Sequence, residues 1–236
     1  MSSAQKVAIV TGASQGIGAE LVTAYRKLGY RVVAVSRTIQ ESDDPEVRTI
    51  PADLSQPGAG AAVVEQALAG FGRIDTLVNN AGIFVAKPFT EYTDEDYDAV
   101  TGVNLRGFFD ISRGAVAAMV EQGGGHVVSV STTLVDHALS QVPAALAALT
   151  KGGLNAVTKS LAIEYAARNV RVNAVALGIV KTPMHAPETH DFLAELHPIG
   201  RMGEVDEVVD AIVFLENNRF VTGEILHVDG GQSAGH

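Results

Sequence analysis

A glycine-rich segment near the start of the chain constrains the fold more than any other feature. Lys6–Val10 is a short β-branched run, residues 11–18 follow it as Thr-Gly-Ala-Ser-Gln-Gly-Ile-Gly, and an amphipathic helical pattern comes next. Gly12 permits a tight turn, Gly16 lets the backbone approach a pyrophosphate, and Gly18 allows the helix to pack closely on the strand. Free N–H groups at the helix N-terminus would bind the anion. The alternative is a glycine-rich turn without a ligand, but the strand–turn–helix context favours dinucleotide binding.

Short strand-like runs alternate with helical patterns along the rest of the chain. Most of the runs are apolar throughout, which is typical of parallel strands covered on both faces. This alternation predicts a doubly wound, Rossmann-type α/β fold, with about seven parallel strands and helices on both faces. The predicted strands are Lys6–Val10, Arg31–Val35, Arg48–Ile50, Asp75–Val78, His126–Val130, Arg171–Ala176 and Ile225–Val228, and the predicted helices cover about 16–28, 60–70, 94–120, 145–168 and 204–216.

The number of domains can be inferred from the length of the chain and from the absence of repeats and linkers. No repeat or linker divides the 236 residues, so we expect a single dinucleotide-binding domain over 1–236. Residues 184–200 contain two prolines and three histidines between the last two strands, and we interpret them as a short substrate lid. The spacing of these histidines does not place them on one helical face, so we expect no metal site.

Composition excludes several classes of function. The chain has no cysteine, which excludes disulfides, thiolate metal sites and thiol nucleophiles. Its formal net charge of −10 argues against nucleic acid and anionic membranes as partners. It has neither a signal-peptide pattern at its start nor an apolar run of the roughly 20 residues that a membrane helix needs. We therefore expect a cytoplasmic protein that acts on a small-molecule substrate.

Motifs spread over most of the chain resemble those of the short-chain dehydrogenase/reductase family. The loop has the spacing G-x-x-x-G-x-G, residues 79–82 read Asn-Asn-Ala-Gly, Asn104 stands in a helical pattern, Thr182 precedes a proline, and residues 229–231 read Asp-Gly-Gly. The resemblance implies a nicotinamide cofactor. Asp53, Asn79 and Asn80 could alternatively cap strands and turns without binding a cofactor. We interpret Asp229 as a structural residue. The predicted cofactor-binding residues are Gly12, Ser14, Gln15, Gly16, Ile17, Gly18, Ser36, Arg37, Asp53, Leu54, Asn80, Ala81, Gly82, Lys151, Gly178, Ile179 and Thr182.

The end of the second predicted strand favours NADP over NAD. NAD-specific sites usually place a carboxylate here to bind the ribose 2′-OH, whereas arginine suits a 2′-phosphate. Ser36 takes the carboxylate's place and Arg37 can donate charge-assisted hydrogen bonds. Gln15 weakens the inference, because NADP-dependent members of the family often have a basic residue there. Arg37 could also be an ordinary solvated charge.

The catalytic residues depart from the family pattern. Family members use serine, tyrosine and lysine, with tyrosine and lysine spaced Y-x-x-x-K on one helix. Lys151 aligns with the lysine, but Ala147 stands at the tyrosine position. Thr132 best matches the serine and keeps a hydroxyl, Asn104 matches the family asparagine, and the interval from Thr132 to Ala147 is about two residues longer than usual. We name His137, or a water held by Thr132 and Lys151, as the replacement proton donor. An ordinary loop role for His137 is the alternative.

Three functions fit this pattern. The first is an NADP-dependent oxidoreductase that acts on carbonyls, imines or iminium ions with a non-standard proton donor. The second is an NADP-binding pseudoenzyme or regulatory protein, and the third is non-redox chemistry on the same scaffold. The family resemblance further implies a homo-oligomer, a tetramer. Leu177, where the family usually has proline, puts the backbone near the nicotinamide in question.

Overall fold

Seven parallel strands form one sheet in the computed structural model, which describes residues 5–235. The sheet order is β3-β2-β1-β4-β5-β6-β7, and every neighbouring pair is parallel. The prediction of a doubly wound Rossmann-type sheet is confirmed. The strands are β1 Val7–Thr11, β2 Arg31–Ser36, β3 Val47–Pro51, β4 Thr76–Asn79, β5 Gly125–Thr132, β6 Val170–Leu177 and β7 Ile225–Val228.

Helices cover both faces of the sheet, because alternate side chains of each apolar strand point to opposite faces. In β1, Val7 and Ile9 pack towards α2, α4 and α5, whereas Ala8 and Val10 pack towards α1 and α7. Both layers are almost free of solvent, which explains why the strands read as continuous apolar runs. The helices are α1 Gly16–Lys27, α2 Ala59–Phe71, α3 Asp94–Thr101, α4 Phe108–Gln122, α5 Ala145–Tyr165, α6 His190–Glu195 and α7 Val205–Asn217.

The helix predicted over 94–120 is not uniform. A π-helical segment, Gly102–Gly107, separates α3 from α4. Asn104 lies in this segment, and its side chain makes hydrogen bonds with the backbone of Ile83. Segments of this type often mark functional positions in long helices, because the wider turn re-aims a side chain. Apolar periodicity alone predicts only a continuous helix here.

The order of the strands places a crevice at one edge of the sheet. β1 pairs with β2 on one side and with β4 on the other, so the chain reverses its winding direction between β1 and β4. In open α/β sheets, ligands bind outside the carboxyl ends of the strands at such a reversal. The glycine-rich loop leaves β1 at this point.

A buried polar cluster lies at the amino ends of the strands, away from that crevice. The carboxylate of Glu216 accepts hydrogen bonds from Tyr30, at 2.8 Å, and from Thr76, at 3.0 Å, and Nδ1 of His126 lies 2.9 Å from it. Nε2 of His126 accepts a hydrogen bond from Asn173 at 3.0 Å, so Nδ1 carries the proton that is donated to Glu216. Burial raises the pKa of Glu216, but these hydrogen bonds outweigh it and hold the pKa well below the usual range.

Candidate active site

The glycine-rich loop forms a cradle at the N-terminus of α1. Gly12 and Gly16 have φ values of +67° and +54°, which favour glycine. A Cβ atom on Gly18 would lie 2.1 Å from the carbonyl oxygen of Gly12, so Gly18 permits the close contact between helix and loop. A Cβ on Gly16 would lie 3.5 Å from Cβ of Thr182, in the gap between the loop and the segment after β6. The cradle therefore fits an anionic group that approaches the backbone.

Two cavities meet above this cradle. The first, the channel, has a volume of about 380 Å³ and holds most of the predicted cofactor-binding residues. Six residues line both cavities and so mark their junction; they are Ile17, Asn80, Gly82, Ile83, Thr182 and Met184. The predicted residues that line the channel are Gly12, Ser14, Gln15, Gly16, Ile17, Ser36, Arg37, Asp53, Leu54, Asn80, Ala81, Gly82 and Thr182.

The sequence analysis missed six residues that line the channel, and four of the residues that it predicts to bind the cofactor do not line the channel. Gly18 lines neither cavity, and its role is the loop contact described above. Lys151, Gly178 and Ile179 line the second cavity instead of the channel. The missed channel residues are neighbours of the predicted motifs in the chain, namely Val35, Ala52, Ile83, Val103, Pro183 and Met184. Only their position beside a motif could have identified them.

The far end of the channel combines a hydroxyl pair with one arginine. Ser36 donates a hydrogen bond to the hydroxyl of Ser14 at 3.0 Å, and exposed Arg37 lines the channel beside them. Asp53 lines it from the loop after β3, where its carboxylate accepts hydrogen bonds from the backbone and side chain of Ser55. Those hydrogen bonds lower the pKa of Asp53, and the charge of Arg37 adds to the effect. Asp53 therefore shapes a turn as well as lining the channel.

Thr11 and Asn80 brace the carboxyl ends of β1 and β4. The Thr11 hydroxyl accepts hydrogen bonds from the backbone N–H groups of Asn80 and Ala81, at 3.0 and 2.9 Å. The Asn80 side chain donates to the carbonyl of Thr11 at 2.9 Å. Asn79 instead donates to buried Ser112, on the inner side of the strand. Asn80 thus joins the loop to the channel wall, and Asn79 holds α4 against the sheet.

Asn104 is a positioning residue in this structure. Its Oδ1 accepts the N–H of Ile83 at 3.0 Å, and its Nδ2 donates to the Ile83 carbonyl and the Thr150 hydroxyl. The side chain is buried, and it lines neither of the two cavities. The sequence analysis predicts a catalytic role for Asn104, and the structure shows how it fixes the segment after β4 that lines both cavities.

The second cavity, here called the reaction cavity, has a volume of about 440 Å³ and is lined by three positions that the sequence analysis compares with the family's catalytic residues, namely Thr132, Ala147 and Lys151. Nζ of Lys151 donates a hydrogen bond to the carbonyl of Val130 at 2.7 Å, and burial lowers the pKa of Lys151 to about 8. Ala147, one turn earlier on α5, lines the cavity with its small side chain. Thr132 lines it from the end of β5, where its hydroxyl donates to the Leu177 carbonyl at 3.4 Å. None of the described residues that line the reaction cavity is a tyrosine.

The structure does not bring His137 to this site. His137 is partly buried in the turn after β5, its backbone N–H donates to the Thr133 carbonyl, and it is absent from the lining of both cavities. The predicted lid supplies a different histidine, because His185 lines the reaction cavity together with Met184, Phe192 and Leu193. Sequence spacing gives no signal for this difference, since it depends on how the lid folds back.

His197 fixes the backbone at the carboxyl end of β6. Nε2 of this buried histidine accepts the N–H of Ile179 at 2.9 Å, and Nδ1 lies 3.0 Å from the carbonyl of Leu193 in α6. Nδ1 therefore carries the proton. A Cβ on Gly178 would lie 2.8 Å from Nε2 of His197 and 2.9 Å from Cα of Asp229, so only glycine fits at this position. With Leu177 in place of the family's proline, β6 still pairs with its neighbours through Leu177.

Within residues 5–235, no three or more His, Cys, Asp or Glu side chains are arranged to hold a metal ion. Over the same residues, no helix combines the length and apolar character needed to cross a membrane. Among the described residues, the Asp, Glu, Lys and Arg side chains that line the two cavities are Arg37 and Asp53 in the channel and Lys151 in the reaction cavity. They can hold a dinucleotide along the channel and leave the reaction cavity open for a second molecule.

Comparison with known proteins agrees with this geometry. The sequence model of the enoyl-(acyl carrier protein) reductase family matches residues 12–233. L-xylulose reductase of Bos taurus is 39% identical over 237 residues, which cover 95% of each chain. The crystal structure of 3-ketoacyl-(acyl-carrier-protein) reductase from Brucella melitensis, complexed with NADH, has a TM-score of 0.89 at 32% identity and covers 98% of this chain and 100% of that one. The structure of ElxO with NADP bound has a TM-score of 0.91 at 27% identity, with the same coverage.

Proposed function

This chain belongs to the short-chain dehydrogenase/reductase family and is an NAD(P)-dependent oxidoreductase; we propose that it uses NADP to reduce carbonyl, imine or iminium compounds, or to catalyse the reverse reaction, with a proton donor other than tyrosine. The observation that carries the proposal is the reaction cavity. It opens beside the cofactor cradle and is lined by Lys151 and Thr132. Ala147 provides only a methyl group at the position where the family resemblance implies tyrosine.

The choice of NADP rests on the end of β2. Arg37 provides the positive charge beside the channel, and Ser36 and Ser14 provide two hydroxyls where a carboxylate would repel a 2′-phosphate. ElxO, a structural neighbour, was solved with NADP, whereas the Brucella melitensis neighbour was solved with NADH. The structural neighbours therefore do not decide between NADP and NAD, and the proposal of NADP rests on the residues of this chain.

All the predicted cofactor-binding residues except Gly18 line one of the two cavities. The adenine half would lie between Asp53 and Arg37, and the pyrophosphate against Gly16. Thr182 and Ile179 would bind the nicotinamide carboxamide, and Lys151 would bind the nicotinamide ribose, as the family resemblance implies. The reduced cofactor supplies a hydride when it is bound. Thr132 lines the same cavity, and its hydroxyl, once turned from the Leu177 carbonyl, would donate a hydrogen bond to the substrate oxygen as negative charge develops there.

The lining of the reaction cavity indicates a substrate without an anionic group. Among the described residues that line it, none is Asp, Glu or Arg, and the wall away from the channel is largely apolar, with Phe84, Leu134, Val142 and Phe192. The Val130 carbonyl holds Lys151 at the cofactor side, so a carboxylate or phosphate on the substrate would lose hydration against the apolar wall without gaining a cationic partner there. We therefore infer a ketone, aldehyde, imine or iminium compound that has an apolar body and carries no carboxylate or phosphate.

Homo-oligomer formation and cytoplasmic location stay predictions. In support of an oligomer, α4 and α5 expose large apolar side chains, including Phe109 at 58%, Leu149 at 60% and Ile163 at 80%. Exposed apolar side chains on neighbouring helices are suited to an interface. Multi-angle light scattering at micromolar protein should give the tetramer mass, and a monomer mass would contradict the prediction.

Turnover of NADPH tests the proposed function directly. Purified protein is titrated with NADPH to establish binding and is then assayed for NADPH oxidation with neutral ketones, aldehydes, imines and N-alkylated iminium ions. We expect oxidation with at least one of these classes. The absence of a tyrosine favours a second candidate, an NADP-binding pseudoenzyme. Tight NADPH binding with no turnover anywhere would select that second candidate.

A further inference from the structure

One lysine and one histidine, the side chains best suited to proton exchange, line the reaction cavity. Among the described residues of its lining, Lys151 from α5 and His185 from the lid are the only lysine and the only histidine. The remaining polar side chains there are hydroxyls and amides, which do not exchange protons readily near neutral pH. A proton that moves to or from the substrate therefore comes from Lys151, from His185 or from a water molecule.

Lys151 is committed to another task. Its Nζ donates to the Val130 carbonyl at 2.7 Å, and a Cβ on Gly82 would lie 3.1 Å from that nitrogen. Gly82 lies at the junction of the two cavities, so the ammonium group stands on the cofactor side of the reaction cavity. The side chain that would carry a proton from this position to the substrate is missing, because Ala147 occupies the preceding turn.

His185 is held in place by its own segment. Its backbone N–H donates to the Thr182 carbonyl at 3.0 Å, and Nε2 of His190 lies 3.2 Å from its carbonyl oxygen. Thr182 and Met184 line both cavities, so this turn lies directly above their junction. The imidazole is about half-buried and lines the reaction cavity without lining the channel. A fixed turn of this kind can present a ring nitrogen to a substrate on the lid side of the cavity.

From this placement we propose that His185 is a catalytic residue, which exchanges the proton with the substrate heteroatom during hydride transfer. The inference rests on the proposed oxidoreductase function. In ketone reduction the carbonyl carbon accepts a hydride, the π electron pair moves to oxygen, and oxygen takes a proton from the His185 imidazolium. Solvent then reprotonates the neutral ring. In the reverse direction neutral His185 accepts the hydroxyl proton while the hydride leaves the carbon.

The local charges set the direction of the pH dependence. Burial lowers the pKa of His185, and the neighbouring His190 of α6 lowers it further. Lys151 is the other titratable group of the cavity, and its pKa of about 8 places its own charge change at higher pH. Ketone reduction, which needs the imidazolium, should rise as the pH falls through a value below the usual range for histidine. Alcohol oxidation, which needs the neutral ring, should rise over the same interval as the pH increases.

The test compares His185→Ala with His227→Ala. His227 is a partly exposed histidine that pairs with Asp136, and it lines neither cavity. We expect His185→Ala to lower kcat/KM for ketone reduction about 100-fold or more. We expect unchanged NADPH binding in both variants and near-normal ketone reduction in His227→Ala. Added imidazole should restore part of the lost activity to His185→Ala, and the acidic limb of the wild-type pH profile should be absent from this variant.

A second substrate separates proton transfer from a structural role. An N-alkylated iminium ion accepts a hydride and needs no proton, so His185→Ala should reduce it as fast as the wild type does. Ketone reduction unchanged in His185→Ala, or a loss that imidazole does not relieve and that extends to NADPH binding, would overturn the assignment of His185. If the wild type binds NADPH but does not oxidise it in the presence of any substrate tested, the proposed function is refuted instead. The two failures therefore give different results.

Discussion

Gly16 offers a sharp test of the cofactor cradle, because Gly29 at the other end of α1 provides a matched control. Both glycines have a positive φ, +54° at Gly16 and +81° at Gly29. A Cβ on Gly29 meets nothing within 4 Å, whereas a Cβ on Gly16 would lie 3.5 Å from Cβ of Thr182, in ordinary van der Waals contact. Neither Gly16→Ala nor Gly29→Ala therefore creates a steric clash within the protein.

The expected effects on stability are equal, and the effects on binding are not. An L-residue in the left-handed region costs about 1–2 kcal/mol, which lowers the Tm of a chain of this size by roughly 2–8 °C in either variant. In Gly16→Ala the new methyl group also stands in the channel, where it would keep a pyrophosphate from the backbone. The loss of one hydrogen bond to a charged group costs about 1.5–3 kcal/mol, which weakens NADPH binding roughly 10- to 150-fold.

Thermal unfolding followed by circular dichroism and NADPH titration followed by fluorescence measure the two effects separately. NADPH should raise the Tm of Gly29→Ala as much as it raises that of the wild type, and should raise that of Gly16→Ala much less. The reasoning would be refuted if Gly16→Ala bound NADPH as tightly as Gly29→Ala, because the cradle would then not contact the phosphates.

Other substitutions test the remaining inferences. Arg37→Ala should weaken NADPH binding by about 1.5–3 kcal/mol and leave NADH binding nearly unchanged; equal losses in titrations with both cofactors would show that Arg37 does not discriminate. Ala147→Tyr should lower turnover of the substrates that the wild type accepts, because the phenol fills space in the reaction cavity, and a gain in steady-state assays would favour the pseudoenzyme. Glu216→Gln should lower the free energy of unfolding by about 2–5 kcal/mol, because buried donors lose a charged acceptor. Since the folded-state pKa of Glu216 is depressed, this difference should be full above roughly pH 5 and shrink as the pH falls below about 4, as measured by urea denaturation.

The fold could be predicted from the sequence because its signals are local. Every predicted strand matches one observed strand within two residues at either end. The five inner strands are buried on both faces and therefore read as largely apolar runs. The cradle is equally local. The backbone at Gly12 and Gly16 is left-handed, and a side chain at position 18 would collide with the Gly12 carbonyl oxygen. These requirements arise within the loop itself. Constraints of this kind leave a residue pattern that can be recognised without a structure.

The reaction cavity could not be predicted to the same extent, because separate segments of the chain build it. Gln141 comes from the loop after β5, Phe192 from α6, and Gln232 from the residues after β7. No periodicity relates these positions, and their contacts depend on how the lid folds over the sheet. The same limit applies to the histidines. His137 is nearer in sequence to Thr132, but the return of the lid places His185 in the cavity.

The two halves of the site have therefore changed to different degrees relative to the family pattern. The cofactor half depends on backbone geometry, which tolerates few residue types, and it retains its glycines, Asn80 and Lys151. The substrate half depends on side chains, and Ala147 stands where the family resemblance implies tyrosine, a proton donor worth roughly 10²–10⁴ in rate. Without that tyrosine, the charge of Lys151 can serve the cofactor but has no phenol beside it to ionise. Under the proposed function, proton transfer must then use water or a group from another segment, and residues 184–200 place such a group, His185, in the lining of the reaction cavity.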